Sequence, residues 1–369
     1  LKSFLLKIPA KLNFLKNLDI SFIINAVVIV SFGILNIYTS TYHSNGYFFT
    51  KKQVLFLLLS LVVCIFLLFI DYKTILRFSE ILYWLMIIVL IATLKAPAVK
   101  GAHSWFFGTE PAEFAKITLT IVLAKKIELM EGKVNNFKNF IIIAVYILIP
   151  FFLIYKQPNL GMSIVCLCIG LGILFISNFS LKVIFGFIIA AIPTCAAILY
   201  CGLLKPYQLA RITSLFSSDT SNSDSIYQVT QSLIAIGSGG IFGKGFLKSN
   251  FASNGYIPEI QTDFIFTSVG EEWGLVGALF LFTLYFIFLY KIIKIAKSTK
   301  DISGKLICVG LFSSFIFSIF QNIGMTIKIT PVSGITLPFM SYGGSSLLAN
   351  FIALSLILNV QVRRSKYHF

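Results

Sequence analysis

The chain of 369 residues is 57% hydrophobic, is charged at only 12% of its positions, and has a mean hydropathy of +0.90. A soluble domain holds roughly twice that charged fraction, so polar surface is too scarce to cover a globule and the chain has to sit in lipid. The net charge of +16 does not mark a nucleic-acid binder: the basic residues stand in short clusters between apolar runs, with no basic stripe interleaved with aromatics.

Runs of about 17 to 25 apolar residues mark spanning helices. Ten are expected, near 20–41, 54–70, 75–94, 111–129, 139–155, 162–177, 181–200, 264–290, 305–325 and 343–361. Hydrocarbon tolerates only closed backbone hydrogen bonding, and the alternation of a barrel strand is absent, so the expected fold is all-α: one polytopic membrane domain over residues 1–369. The start, Leu1 to Lys16, is basic and lacks a small-residue cleavage site, so no cleavable signal peptide is expected. With the N-terminus inside, the inner segments collect most of the lysines and arginines, which predicts both termini in the cytoplasm. Segment 201–263 between spans 7 and 8 then becomes a long extracytoplasmic loop.

That loop begins polar at Ser217 to Ser225 and turns into an amphipathic helical pattern from Tyr227 to Ile236. A cluster, Gly237-Ser-Gly-Gly-Ile-Phe-Gly-Lys-Gly, follows; it is not a Walker loop, because Ser238 stands at the first glycine and Gly245 follows Lys244. Its glycines suit either the approach of backbone amides to an anion or a tight turn with no ligand. The six cysteines fall in or at the edge of apolar runs and read as small fillers. The three histidines are far apart, so no transition-metal site is expected.

Chemistry concentrates in a few places. The stretch Tyr256 to Glu272 holds Glu259, Asp263, Glu271 and Glu272, four of only 14 acids. A carboxylate at the lip of a membrane helix is costly to desolvate, which points to function at Asp263; the plainer alternative for these acids, Glu271 and Glu272 above all, is a solvated helix end. Glu113 and Lys116, three apart, share a face of span 4 and can pair, either as a structural ion pair or as the polar wall of a cavity. Gln157-Pro-Asn-Leu-Gly and the block Pro331 to Ser346 place Pro and Gly beside polar side chains at outer span ends. Such breaks survive at membrane depth only where they line protein or water.

Together these motifs resemble the SEDS family (shape, elongation, division, sporulation), most closely its RodA branch. The elements run in family order: Gly101-Ala-His-Ser-Trp, Pro111-Ala-Glu-Phe-Ala-Lys, Gln157-Pro-Asn-Leu-Gly, Tyr227-Gln with the 235–245 glycine cluster, Pro258-Glu with Thr262-Asp-Phe-Ile-Phe and Gly270-Glu-Glu, Asn322-Ile-Gly-Met-Thr-Ile, and the Pro331 block. The resemblance implies a glycosyltransferase that polymerises lipid II at the outer membrane face for cell elongation. It also implies a class B penicillin-binding protein as transpeptidase partner, other elongation-complex membrane proteins, and no nucleic acid. It puts the catalytic aspartate at Asp263, and the departing diphosphate's charge leads to the expectation of a divalent cation, magnesium or manganese, held there. Glu113, Lys116, Trp105, Arg211, Gln231, Lys244, Glu259 and Ser341 are the expected substrate-binding residues.

The chain departs from the pattern at several points. Ser104 stands where an Arg usually precedes the Trp, which leaves Arg211, Lys244 and Lys328 as possible replacements for a phosphate contact. Glu110 and Ala112 replace Gln and Ser, Asn159 replaces Asp, Thr336 replaces Pro, and Lys328 sits where Gly is usual. Two rival readings are a lipid-linked precursor flippase or other transporter, and a non-catalytic scaffold of the wall-building complex. A transporter should carry its polar residues near the midplane, matched in two halves; here they gather at the outer ends, with no visible internal repeat.

Overall fold

A computed structural model describes residues 18–97, 104–106, 108–131, 133–177, 179, 215, 224–249, 251 and 255–363. The described regular structure is helical: α1 (Ile20–Asn45), α2 (Phe48–Phe69), α3 (Tyr72–Arg77), α4 (Ser79–Thr93), α5 (Pro111–Leu129), α6 (Phe137–Lys156), α7 (Leu160–Ile176), α8 (Asp224–Gly239), α9 (Ile265–Ser298), α10 (Ile302–Thr326) and α11 (Gly344–Arg363). Six of them, α1, α2, α6, α9, α10 and α11, are long and apolar enough to cross a membrane, while α4 and α7 are shorter apolar helices. The chain is thus an all-α polytopic membrane protein. The run expected at 181–200 lies outside the described residues, as does Arg211.

Short polar residues start five of the helices. Asp19, Asp71, Asn136, Asn159 and Asp301 each accept a backbone N–H of the first turn of α1, α3, α6, α7 and α10, satisfying donors that the helix itself leaves open. Pro111 opens α5, where its missing N–H costs nothing. The run expected at 75–94 is divided: Asp71 caps the single turn and a half of α3, the backbone turns at Phe78 (φ −92, ψ 8), and α4 begins at Ser79.

Helices α5, α10 and α11 form the inside of the bundle. From Ser346 to Arg363 nearly every side chain of α11 is buried, and α5 is buried over most of Pro111 to Ile127. Around them α2, α4 and α6 turn Leu55, Leu58, Val62, Phe66, Ile81, Leu85, Ile88, Ile141, Val145 and Phe152 outward, the face hydrocarbon would cover.

Polar groups inside are matched rather than absent, as a low-dielectric interior requires. Asn359 on α11 accepts the Tyr72 N–H at 3.0 Å and donates to the Leu67 and Ile70 carbonyls at 2.9 and 2.5 Å, closing the end of α2. Arg363 adds a bond to Leu68 O at 2.9 Å.

One end of the bundle is tied by ion pairs. Lys73 reaches Glu128 at 2.7 Å and Asp301 at 2.6 Å, and Lys291 reaches Asp19 at 2.6 Å. Partial burial alone would raise the Asp301 carboxyl, but the Lys73 ammonium and the Gly304 and Ser303 donors outweigh it and hold it below its ordinary value. The candidate catalytic residues lie at the opposite end.

There α9 is broken. Gly274 has φ 63 and ψ −155, a conformation open to glycine and strained for any other residue. The turn after α8 docks on this break: Leu275 and Val276 donate to Gly240 and Ile241 carbonyls, and Lys244 and Gly245 donate to Glu271 and Glu272 carbonyls, all at 3.0–3.1 Å.

Candidate functional site

Asp263 sits half-buried in the turn just before α9. The turn is fixed from three sides. Glu259, in a left-handed conformation (φ 57), offers its carbonyl to the N–H groups of Thr262 and Asp263 at 3.1 Å. Ser341 donates to Thr262 O at 2.5 Å while accepting the Leu337 N–H at 2.8 Å. Fully buried Asn322 donates to Asp263 O at 2.9 Å and to Ile335 O at 2.7 Å. The aspartate is thus clamped to the 331–343 segment. Gly334 is left-handed (φ 72), and a Cβ there would stand 3.7 Å from Asp263 Oδ2.

The same segment reaches the second acid. Thr336 donates to Glu113 Oε1 at 3.2 Å and shares a 2.7 Å bond with Ser346. Glu113 and Lys116, 2% and 4% exposed, pair at 2.6 Å, and Lys116 also donates to Asn350 at 3.0 Å. Asn350 donates in turn to Ser346 at 3.3 Å. The expected spacing of three does place the pair on one helix face, and Thr336, which bonds Glu113, is two residues along the chain from Asp263's neighbour Gly334.

Glu110 completes this end. It is the N-cap residue of α5, its side chain makes no capping bond, and that side chain accepts the Asn159 amide at 2.7 Å; its backbone N–H donates to Ser345 at 3.1 Å. Burial first, then the charge of Glu113, push its carboxyl up to about 8; the Asn159 bond opposes the shift, Asp263 adds to it, and Lys116 opposes it more weakly.

Other expected substrate contacts are distributed differently. Trp105 is 43% exposed and lies beside buried Ser104, whose hydroxyl donates to Gln157 O at 3.0 Å. Gln231 is half-buried on α8. Lys244 pairs with Glu271 at 2.8 Å, where fully buried Glu271 also accepts Ser249 Oγ at 2.6 Å and the Phe251 N–H at 3.1 Å. The solvated helix end considered for Glu271 is therefore a buried, satisfied acid. The glycine cluster is the tight turn rather than an anion cradle, because the N–H groups of Gly243, Lys244 and Gly245 are bonded to carbonyls of Gly239, Glu271 and Glu272. Glu259 and Ser341 act on the backbone that presents Asp263. Among the described residues no three His, Cys, Asp or Glu side chains are grouped as a metal cage.

Asn322, Thr336, Asn350, Glu110 and Asn159 were not singled out as site residues from sequence. The signal for Asn322 was its place in a quoted motif; for Thr336, Glu110 and Asn159 it was their departure from the family pattern.

The comparisons with known proteins cover nearly the whole chain. The family described as "Cell cycle protein" (FTSW_RODA_SPOVE) matches residues 12–366. Stage V sporulation protein E of Bacillus subtilis is 31% identical over 364 residues, covering 95% of this chain and 98% of that one. Peptidoglycan glycosyltransferase RodA of Treponema pallidum is 29% identical over 94% of this chain and 98% of its own, and peptidoglycan glycosyltransferase MrdB of Escherichia coli K12 is 35% identical over 77% of each.

Two solved structures superpose along the length. One is described as structural coordination of polymerization and crosslinking by a peptidoglycan synthase complex (TM-score 0.81, 27% identity, 95% of this chain and 99% of that one). The other is the crystal structure of Thermus thermophilus rod shape determining protein RodA (TM-score 0.70, 26% identity, 95% and 98%). A match across 12–366, with a sporulation relative above 30% identity over almost the entire length and the same fold, places this chain in the FtsW/RodA/SpoVE family of SEDS proteins.

Proposed function

We propose that this chain is a peptidoglycan glycosyltransferase of the RodA type, polymerising lipid II into glycan strands at the outer face of the plasma membrane during elongation and shaping. The relatives' activities support the class of reaction. The observation that carries the assignment of residues is the clamp on Asp263: one partly exposed carboxylate, held by Asn322 and Ser341 to the segment that also bonds Glu113.

The reaction needs a proton acceptor beside the attacking sugar hydroxyl. As that oxygen bonds to the anomeric carbon of the donor sugar, the bond from that carbon to the polyprenyl diphosphate breaks, and the hydroxyl proton passes to Asp263. Such a positioned base contributes about 100- to 10,000-fold. The diphosphate leaves as an anion and needs no second acid. Magnesium or manganese suits a half-buried carboxylate such as Asp263, because such ions take most of their oxygens from substrate phosphate and water; Asp263 would hold it, and it would supply charge for the leaving diphosphate. Glu113 and Lys116 form the polar floor, and Trp105 and Gln231 the rim against which the lipid-linked sugar lies.

The topology that fits this chemistry has about ten spans, with 181–200 as the seventh, both termini cytoplasmic and 201–263 outside. The end tied by Lys73, Lys291 and Asp301 is then the inner one, in line with the excess of lysine there. A class B penicillin-binding protein is the expected partner, supported by the structural match to a complex that couples polymerization to crosslinking. The test is lipid II polymerisation by the purified protein, with and without a chelator and the transpeptidase. Asp263→Asn is expected to lose at least about 100-fold in rate with its thermal unfolding unchanged; normal glycan chains from that variant would remove Asp263 from the mechanism.

A further inference from the structure

Glu110 is an acid with no cation of its own. Among the described residues none of the ion pairs includes it. Lys116, one turn and a half away, already serves Glu113 and Asn350. The single side-chain bond to Glu110 is made by Asn159, and its direction is fixed: Asn159 Oδ1 accepts the Met162 N–H at 3.2 Å, which leaves Nδ2 to donate to Glu110 Oε1. Among the described residues the second oxygen, Oε2, has no hydrogen-bond partner.

The surroundings favour an anion other than Glu110 itself. Three helices begin at this point: α5 directly after Glu110, α7 directly after Asn159, and α11 at Gly344, whose Ser345 takes the Glu110 N–H. Each helix start carries a partial positive charge of about half a unit. An ionised Glu110 would neutralise these ends and repel any phosphate. A protonated Glu110 leaves them open and adds an O–H donor at Oε2, and a phosphate oxygen is an acceptor only. The charged groups acting on Glu110 are Glu113 and Lys116 from its own helix and Asp263 from the turn before α9. The neighbouring ends of α7 and α11 contribute the uncharged Asn159 and Ser345.

We infer that Glu110 is a substrate-binding residue that works in its protonated form, donating through Oε2 to the diphosphate of the lipid-linked donor. Binding of that diphosphate therefore takes up, or requires, one proton at this side chain. The inference rests on the glycosyltransferase reading for the identity of the ligand. It goes beyond it in assigning the diphosphate to the Glu110 corner and in making its binding pH-dependent. The site then has a division of labour: Asp263 faces the attacking hydroxyl as the base, and Glu110, neutral, faces the leaving group.

The experiment is equilibrium binding of undecaprenyl diphosphate to the purified full chain in nanodiscs from pH 6 to 9, for the wild type, Glu110→Gln and Asp263→Asn, with lipid II polymerisation measured alongside. Wild-type affinity is expected to fall above pH 8, approaching about tenfold per pH unit, the slope of one linked proton. Glu110→Gln, a permanently neutral side chain of the same shape, should abolish that slope, whatever its affinity at pH 7. Asp263→Asn should retain it. A difference infrared titration gives a second readout: a protonated-carboxyl band that disappears with rising pH in the wild type and is missing in Glu110→Gln. The inference is overturned by a wild type whose binding is flat across this range, or by a Glu110→Gln variant that keeps the wild-type slope. A protein that binds the diphosphate with the expected slope yet makes no glycan would instead refute the polymerase reading alone.

Discussion

Replacing Lys116 by methionine separates a structural ion pair from a wall of the reaction site. Lys116 and Glu113 are almost fully buried and 2.6 Å apart. Methionine keeps most of the lysine stem, so packing changes little, but Glu113 is left as a buried charge without its cation. Breaking a buried pair from one side costs about 3–5 kcal/mol. Asn350 also loses the donor at 3.0 Å, which adds about 1 kcal/mol. The expected loss of about 4–6 kcal/mol is a large part of the 5–15 kcal/mol that typically holds a domain folded. Glu113→Gln/Lys116→Met removes both charges, and glutamine still accepts from Thr336. It should return to within about 2 kcal/mol of the wild type, a coupling well above the few tenths expected of independent sites. The assay is denaturant unfolding in bicelles followed by tryptophan fluorescence, with lipid II polymerisation in parallel. Equal destabilisation of the single and double variants would refute the buried-charge argument. A double variant that polymerises at the wild-type rate would reduce the pair to a fastener between helices.

Three further outcomes follow from the geometry. Gly334→Ala forces a left-handed residue, about 1–2 kcal/mol, beside Asp263 Oδ2; polymerisation should fall more than thermal stability does, and the reverse pattern would detach Gly334 from the site. Gly274→Ala places a Cβ 2.4 Å from Gly243 N and 2.7 Å from Ile241 O, so the turn after α8 must lift; proteolysis between 240 and 247 should quicken, and an unchanged cleavage rate would mean the turn is not held there. Asp301→Asn should cost about 1–2 kcal/mol at pH 7, between the exposed and buried limits for an ion pair. Because the folded carboxyl lies below its ordinary value of 3.8, that contribution is complete above the ordinary value and disappears as pH falls through the lower folded one. Wild type and variant should therefore converge in unfolding titrations below pH 4, and a gap that persists there would contradict the pairing.

Hydropathy located the helices because lipid imposes length and apolarity on each span separately. It did not reveal the turn at Phe78, since a cap at Asp71 and one residue of changed ψ leave the apolar run intact. Asp263, Glu113 and Lys116 were legible as acids and a base where charge is costly. Their supports were not: Thr336 lies 223 residues from Glu113 and Asn322 lies 59 from Asp263, and no local spacing announces such contacts. The departures from the family pattern were visible singly but not as relations. Glu110 and Asn159, noted separately, are the two halves of one 2.7 Å hydrogen bond. Lys328, noted as an unexpected replacement for glycine, occupies a left-handed backbone (φ 58) of the kind glycine usually fills. Lys244 read as a possible phosphate contact, because its partner Glu271 is 27 residues away and fully buried.

The interruption at Gly274 divides α9 into two mechanical parts. Below it runs a long shaft through the bilayer; above it a short crown, 265–273, carries the Asp263 turn at its tip. Four backbone bonds at the fracture stitch the crown and the top of the shaft to the loop that follows α8. Shaft and crown meet at the glycine, and the bonds to that loop tie it to the segment that carries Asp263. On the proposed reading, whatever grips the loop after α8 holds a lever whose other arm is the Asp263 carboxylate.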